Sequence, residues 1–180
     1  PEEQVLLDAF NALKADYPSL LLVIVPRHPQ RFNKVHQLLK KQNVNTILMS
    51  EAKPCQPETE VLLCDQMGTL RSIYALASIS FVGGSIASKG GHNALEPAAV
   101  SVPILMGESI YNNPAICQVL KENGALVTVT DAEQIAEACR DWLDNPTQMQ
   151  RAGAAAKQVI SLNSGAIQKT LDVLNSEHLV

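Results

Sequence analysis

Residues 81–97 read FVGGSIASKGGHNALEP, which joins the end of an apolar run to two glycine pairs and a polar cluster. The apolar residues before Gly83 predict a short buried strand. The pairs Gly83–Gly84 and Gly90–Gly91 permit backbone angles closed to other residues and let a ligand approach the main chain. A helix that begins near Asn93 would direct unpaired N–H groups and the positive end of its dipole at that ligand. We therefore interpret the stretch as the loop of an anion-binding site.

Glu96 admits two interpretations. With Asn93 as the N-cap, a glutamate three residues later fits a capping box. Pro97 argues against the box, because proline removes a backbone donor and disfavours helical angles at the residue before it. We expect a regular helix to begin at Pro97 instead. We favour this second interpretation, in which the Glu96 carboxylate stays at the mouth of the loop and accepts hydrogen bonds from sugar hydroxyls.

Outward from this loop, apolar runs alternate with segments of helical periodicity. The runs are too apolar to be half-exposed strands, and they cover residues 20–25, 46–49, 61–64, 79–82, 102–106 and 126–129. Helices are predicted over residues 1–16, 29–42, 69–77, 131–142 and 164–175, and from Pro97, Pro114 and Pro146 onward. This alternation predicts an α/β fold with a Rossmann-like, doubly wound parallel sheet in a single domain.

In such sheets, ligands bind beyond the carboxyl ends of the strands. Four turns are predicted there, at Arg27, Met67, Gly83 and Gly107, and one pocket could collect all four. The guanidinium of Arg27 at this edge can form a bidentate contact with a phosphate or carboxylate. The alternative is an arginine that only reaches the surface from a buried strand, and we favour the anion ligand. Met67 with Gly68 is a weak signal, since a plain turn with Met67 filling the core explains it equally.

Composition excludes several classes of function. The chain has 180 residues, 46% of them hydrophobic, and a net charge of −4, which fits one soluble domain without a nucleic-acid footprint. Its longest apolar run, residues 20–25, is too short to cross a bilayer. Four cysteines without CxxC spacing predict reduced structural thiols in a cytosolic setting, with Cys64 buried. His28 and His92 have no carboxylate or cysteine at ligand spacing, so no metal site is predicted.

Familiar phosphate-binding and hydrolase motifs are missing from the sequence. It contains no GxGxxG after the first strand, no GxxxxGK[ST] and no G-x-S-x-G. A nucleotide-dependent chain without these motifs points to a nucleotide-sugar site. The chain also begins with Pro1 rather than Met, which suggests a domain excised from a longer protein.

The quoted segments resemble a known family. FVGGSIASKGGHNALEPAAVSVPILMG, with PRHPQRF upstream and CDQMGTL between them, is similar to the C-terminal domain of bacterial 3-deoxy-D-manno-octulosonic acid (Kdo) transferases. The similarity extends from Leu20 to about Thr130 and is most specific in GGHNALEP. It implies one half of a GT-B fold, in which two Rossmann-like domains face each other. It also implies the donor-binding half of an enzyme that moves Kdo from CMP-Kdo to a lipid A precursor, lipid IV(A).

The resemblance implies that CMP-Kdo contacts three segments, made up of Pro26, Arg27, Met67, Gly68, Thr69, Asn93, Ala94, Leu95 and Glu96. A second tier comprises Gly83, Gly84, Ser85, Lys89 and His92. The family often has glutamate in place of Thr69 and proline in place of Ala94, which leaves backbone contacts possible but weakens a side-chain role for Thr69. Arg27, Lys89 and the helix starts near Met67 and Asn93 would supply positive charge to the donor, and Glu96 would hold the ribose.

The resemblance assigns the catalytic base and the acceptor site to an N-terminal domain that this chain lacks. No catalytic residue, metal or cofactor is therefore expected here. The expected partners are CMP-Kdo and, through the missing domain, the lipid A precursor and the cytoplasmic face of the bacterial inner membrane. Neither nucleic acid nor an oligomer is implied. The alternatives are another GT-B enzyme, such as a UDP-sugar transferase or epimerase, and a non-catalytic nucleotide-binding module.

Overall fold

Every apolar run forms a short strand, and helices connect the strands along the chain. The computed structural model describes residues 2–163 of the protein. The strands are β1 (Leu22–Ile24), β2 (Thr46–Leu48), β3 (Val61–Leu63), β4 (Ser80–Val82), β5 (Ile104–Met106) and β6 (Leu126–Thr128). The helices are α1 (Glu2–Leu13), α2 (Phe32–Lys41), α3 (Leu70–Leu76), α4 (Leu95–Ala99), α5 (Pro114–Glu122), α6 (Ala132–Asp144) and α7 (Pro146–Asn163), with short 3₁₀ turns at Pro29–Arg31 and Met49–Glu51. The predicted helix over 164–175 lies outside the described residues.

The parallel α/β fold is confirmed, and hydrogen bonds divide the strands into two sheets. The first sheet has the order β1-β3-β2 and the second the order β4-β5-β6, with all neighbours parallel. In each pair of neighbouring strands, three residues of one strand pair with three of the other. The strands are therefore shorter than the apolar runs that predicted them. The middle strand β5 is buried along its whole length, as expected for a parallel sheet covered on both faces.

Helix α1 bridges the two sheets. Leu7 and Phe10 pack in the same cluster as the buried residues of β1 and β3. Ala9 and Leu13 pack instead with Leu105 of β5 and with helix α6. Burying a side chain as large as leucine or phenylalanine contributes roughly 1.5–3 kcal/mol, so this helix is held firmly against both halves of the molecule.

The predicted helix starts at Pro114, Asp131 and Pro146 are confirmed. Asp131 is the N-cap of α6, and its Oδ1 accepts the N–H of Gln134 at 2.9 Å. That hydrogen bond, followed by one from the Thr130 hydroxyl, lowers the pKa of the Asp131 carboxyl. Such a cap is worth about 1 kcal/mol to a helix.

Two parts of the thiol prediction are confirmed, namely the free thiols and the burial of Cys64. All four cysteines are free, and Cys64 and Cys117 are buried. Burial is the main cause that raises the pKa of the Cys64 thiol to about 11, which keeps it protonated at neutral pH. Within residues 2–163, no helix has the length and apolar character needed to cross a membrane.

Candidate functional site

The loop between β4 and α4 folds back onto the first glycine pair. The carbonyl of Gly84 accepts the N–H groups of Lys89 at 3.0 Å and Gly91 at 2.9 Å, and that of Gly83 accepts the N–H of His92 at 2.9 Å. Gly84 has a φ of +75°, which L side chains rarely adopt. A Cβ at this position would also lie 3.2 Å from the His92 ring. Gly84 therefore adopts a backbone angle that favours glycine, as predicted. The missing side chain also leaves room for the His92 ring against the main chain.

The second glycine pair lets the loop approach the end of β5. Gly90 and Gly91 have φ values of +83° and +71°. A Cβ on Gly90 would lie 2.5 Å from the ring of Tyr111, and one on Gly91 would lie 2.6 Å from the methyl group of Met106. The side-chain amide of Asn112 donates to the carbonyl of Gly91 at 3.0 Å. The sequence predicts a role for the glycines but gives no sign that Tyr111 and Asn112 occupy the space where a Cβ on Gly90 would lie.

Arg27 reaches from the end of β1 to the loop after β4. Its Nη1 lies 2.7 Å from Nδ1 of His92. Because arginine can only donate, His92 accepts through Nδ1 and carries its proton on Nε2 when neutral. Burial and then the charge of Arg27 lower the pKa of His92, which favours that neutral ring. The bond joins the carboxyl ends of strands from the two sheets, where ligands of doubly wound folds bind.

The Arg27 guanidinium has N–H donors that are not used by the bond to His92. Arg27 is exposed and makes no other hydrogen bond or salt bridge to a described residue. The exposed guanidinium thus contacts a predicted site residue, His92. Lys89, the second predicted cation, is also exposed, and its ammonium forms no ion pair within residues 2–163. Two positive charges therefore remain available near this edge.

Helix α4 begins at Leu95, so the predicted start at Pro97 was wrong. Ala94 is its N-cap, which places Pro97 in the first turn. Proline is tolerated there because the first-turn N–H groups have no intrahelical acceptor, so nothing is lost with the missing one. The Oδ1 atom of Asn93 accepts the N–H of Leu95 at 3.1 Å. The N–H groups of Asn93 and Ala94 have no acceptor among the described residues, but Asn93 is exposed and Ala94 is buried.

Glu96 lies exposed in this first turn, and its carboxylate makes no hydrogen bond to a described residue. The capping box with Asn93 is therefore not formed. Helix α3, which carries Tyr74, packs against α4. Burial, and secondarily the negative charge of Glu96, raise the pKa of Tyr74 to about 12.

The turn after β3 carries the third predicted segment. Met67 is 64% exposed, so the core-filling alternative for this residue is wrong. Gly68 has a φ of +84° and open space where a Cβ would be. Thr69 donates its hydroxyl to the carbonyl of Gln66 at 3.2 Å, which occupies it locally. No hydrogen bond links this turn to Arg27 or to the glycine loop, although β3 ends at the same edge as β1.

Two other predicted site residues, Pro26 and Ser85, lie buried beneath the edge. Pro26 is buried, and Ser85 is 1% exposed. The Ser85 hydroxyl donates to the carbonyl of Val82 at 2.7 Å and accepts the N–H of Gly107 at 2.8 Å. These bonds tie the start of the loop to the end of β5. The hydroxyl is thus committed to the backbone.

One functional candidate went unnoticed in the sequence. The carboxylate of Glu2 on α1 accepts backbone hydrogen bonds from the loop after β4. Sequence reasoning placed Glu2 only in the acidic first turn of a helix. No local signal could have found this contact, because the two segments lie 82 residues apart at their nearest bond.

One small cavity lies between the glycine loop and the residues that follow β5 and β6. Its volume is about 120 Å³, and it is lined by Ser85, Ile86, Ser88, Glu108, Ser109, Val129 and Thr130. Pockets that bury a drug-sized ligand usually exceed about 300 Å³, so this cavity is too small to hold a nucleotide sugar. Among residues 2–163, no cluster of three or more histidine, cysteine, aspartate or glutamate side chains could hold a metal ion.

The fold and this edge define an α/β domain of the type found in glycosyltransferases. The family model described as Glycosyl transferases group 1 matches residues 3–159, and the chain belongs to this family. Its relatives include the 3-deoxy-D-manno-octulosonic acid transferases of Haemophilus influenzae, 40% identical over 174 residues, and of Bordetella pertussis, 30% identical over 178 residues. In both comparisons the match covers 96% of this chain but 41% of the relative.

A solved structure extends the comparison. The C-terminal CMP-Kdo binding domain of WaaA from Acinetobacter baumannii superposes with a TM-score of 0.84 and 34% sequence identity. The match covers 89% of this chain and 83% of that domain. The similarity therefore covers most of both chains, unlike the match to the full-length transferases.

Proposed function

We propose that this chain is the donor-binding domain of a Kdo transferase and binds CMP-Kdo at the edge where its two sheets meet. The similarity to the WaaA domain supports this proposal. The observation that carries it is the Arg27–His92 pair, which joins β1 to the loop that leads into α4. The unpaired N–H group of the exposed residue Asn93 follows directly in the chain.

The chemistry of the donor matches these groups. CMP-Kdo carries a phosphate and a sugar carboxylate, so its site needs cationic and N–H donors. The free donors of Arg27 and the N–H of Asn93 at the start of α4 supply them, and Lys89 adds positive charge. As the glycosidic bond breaks, negative charge grows on the leaving CMP, and the same donors stabilise it more strongly in the transition state than in the ground state. The free Glu96 carboxylate accepts the ribose hydroxyls.

The remainder of the reaction is assigned to the rest of a longer protein. This chain spans 41% of the length of the Kdo transferases it matches. We propose that an N-terminal domain faces the edge, binds the lipid A precursor and supplies the catalytic base. The full-length enzyme would then act in lipopolysaccharide synthesis at the cytoplasmic face of the inner membrane. In this proposal the chain itself contributes no base, metal or cofactor.

The chain alone should bind CMP weakly and transfer no sugar, because half of the cleft is missing. Calorimetry with CMP and UDP, each with EDTA present, should give a measurable dissociation constant for CMP and weaker binding of UDP. Tighter UDP binding would instead favour another nucleotide-sugar enzyme, and CMP binding that needs a divalent ion would refute the metal-free site. Transfer of Kdo by the isolated chain would contradict the assignment of the base to another domain.

Glu96→Gln should weaken CMP binding by about 1 to 3 kcal/mol, because an amide keeps one good acceptor and presents a donor in place of the other. The melting temperature should hardly move, since no capping box is formed. Glu108→Gln is the matched control, because Glu108 is also exposed beside this edge and is not a predicted donor contact. A fall in melting temperature with CMP affinity intact would show that Glu96 stabilises the helix instead.

A further inference from the structure

The carboxylate of Glu2 sits against consecutive backbone N–H groups at the start of the glycine loop. Its Oε2 accepts the N–H of Gly84 at 2.6 Å, and its Oε1 accepts those of Ser85 at 2.9 Å, Ile86 at 2.8 Å and Ala87 at 3.3 Å. Successive N–H groups that converge in this way form a nest, a concave site that suits an anion. The nest is therefore filled by a side chain of the protein itself.

The same carboxylate lies close to the histidine of the candidate site. A Cβ built on Gly83 would lie 3.2 Å from Oε2 of Glu2 and 3.9 Å from the ring of His92. The N–H of His92 donates to the carbonyl of Gly83, and the His92 ring accepts from Arg27. A displacement of the main chain at Gly83 would therefore move His92, and with it the Arg27 guanidinium that is bonded to the ring.

Glu2 reaches the loop from a fixed base. Helix α1 packs against both sheets through buried side chains. The Glu3 carboxylate, next in the chain, is not bonded to the loop and accepts two hydrogen bonds from the Arg31 guanidinium at 2.7 and 2.8 Å instead. The Glu2 carboxylate therefore holds the loop against a helix whose position is set by its own buried side chains.

We propose that Glu2 is a positioning residue for donor binding, which holds the main chain of residues 84–87 and through it orients His92 and Arg27. This inference rests on the proposed function. Hydrogen bonds to a charged acceptor are about twice as strong as neutral ones, so a carboxylate suits the task. Glutamine cannot replace it, because its NH₂ group would face one of the backbone N–H donors and leave that donor unpaired.

The test compares CMP dissociation constants of the wild-type chain with those of Glu2→Gln, Glu2→Ala and Glu3→Gln. We expect the dissociation constant to rise about tenfold in both Glu2 variants. Glu3→Gln should leave it unchanged, although that variant loses its own ion pair in the same helical turn. Sodium acetate should restore part of the CMP affinity of Glu2→Ala relative to sodium chloride at equal ionic strength. Backbone amide NMR signals of residues 84–87 should shift in Glu2→Gln and return toward wild type in Glu2→Ala with acetate.

The outcomes separate this inference from the function on which it rests. If the wild-type chain does not bind CMP, the proposed function fails and the positioning role falls with it. If the wild-type chain binds CMP and both Glu2 variants bind it equally well, only the positioning role is wrong, whatever their melting temperatures. Tighter binding by Glu2→Ala would also overturn it, since Glu2 would then compete with the donor for the nest. Should Glu2→Ala not fold, the near-isosteric Glu2→Gln decides the comparison.

Discussion

Replacing Gly107 with alanine is expected to lower the free energy of unfolding by about 3 kcal/mol, the upper range for overpacking a tight contact. The new Cβ would lie 2.4 Å from both the carbonyl carbon and the oxygen of Ser85, and 2.5 Å from the nitrogen of Ile86. These are backbone atoms, which cannot rotate away as the end of a side chain can. Gly107 is also tied by its N–H to the Ser85 hydroxyl, so a shift that relieves the overlap breaks a buried hydrogen bond.

Gly124→Ala provides the matched control for this measurement. Gly124 has a φ of +69°, but no atom lies within 4 Å of its would-be Cβ. Alanine there should lose only about 1 to 2 kcal/mol, the cost of a left-handed backbone. Urea unfolding of the two variants would compare them directly. If Gly107→Ala proved as stable as the wild-type chain, the close approach of the β5 end to the glycine loop would be contradicted.

Arg27→Ala is expected to weaken CMP binding by about 2 to 3 kcal/mol, the scale of a lost charge-assisted contact. The side chain is exposed and its one hydrogen-bond partner among residues 2–163 is His92, so the melting temperature should change little. Lysine should restore only part of the affinity, because an ammonium cannot form the bidentate contact. Calorimetry with CMP on the three proteins measures both effects on the same preparation.

Two further measurements make the Arg27 prediction specific. Arg31→Ala removes another hydrogen-bonded arginine four residues away and should leave CMP affinity unchanged, because Arg31 pairs with Glu3 and not with the site. The pKa of His92 should rise in Arg27→Ala, since the positive charge of Arg27 is one of the causes that lower it. Normal CMP affinity in Arg27→Ala would contradict a role for Arg27 in donor binding and leave it as a surface arginine.

Much of the fold could be read from local patterns. The strand at residues 104–106 lies in an apolar run, and such a run is stable only when both faces are covered. Asp131 was identified as a helix cap because a short acidic side chain can reach the N–H three residues ahead. Of the two predicted glycine pairs, Gly84, Gly90 and Gly91 adopt left-handed backbone angles, whereas Gly83 does not.

Local sequence patterns gave wrong or no predictions where two conformational preferences competed or where the feature depends on distant parts of the chain. The sequence predicts Pro97 as the first residue of its helix, yet the helix begins at Leu95 because a proline is also tolerated later in the first turn. Met67 was a candidate for the core, but its turn leaves it exposed. The division of six strands into two hydrogen-bonded sheets had no counterpart in the apolar pattern.

Local patterns are enough to predict the parallel α/β class, the glycine loop and the arginine at a strand end, and a contiguous motif carries the resemblance to a donor-binding domain. Each of these features depends on residues that are close in the chain. That Arg27 meets His92, 65 residues away, and that Glu2 fills the nest of the glycine loop is visible only in the folded molecule. A polar side chain can bond to any suitable donor or acceptor within reach. Which one comes within reach is set by how α1 packs on both sheets and by where the strands end.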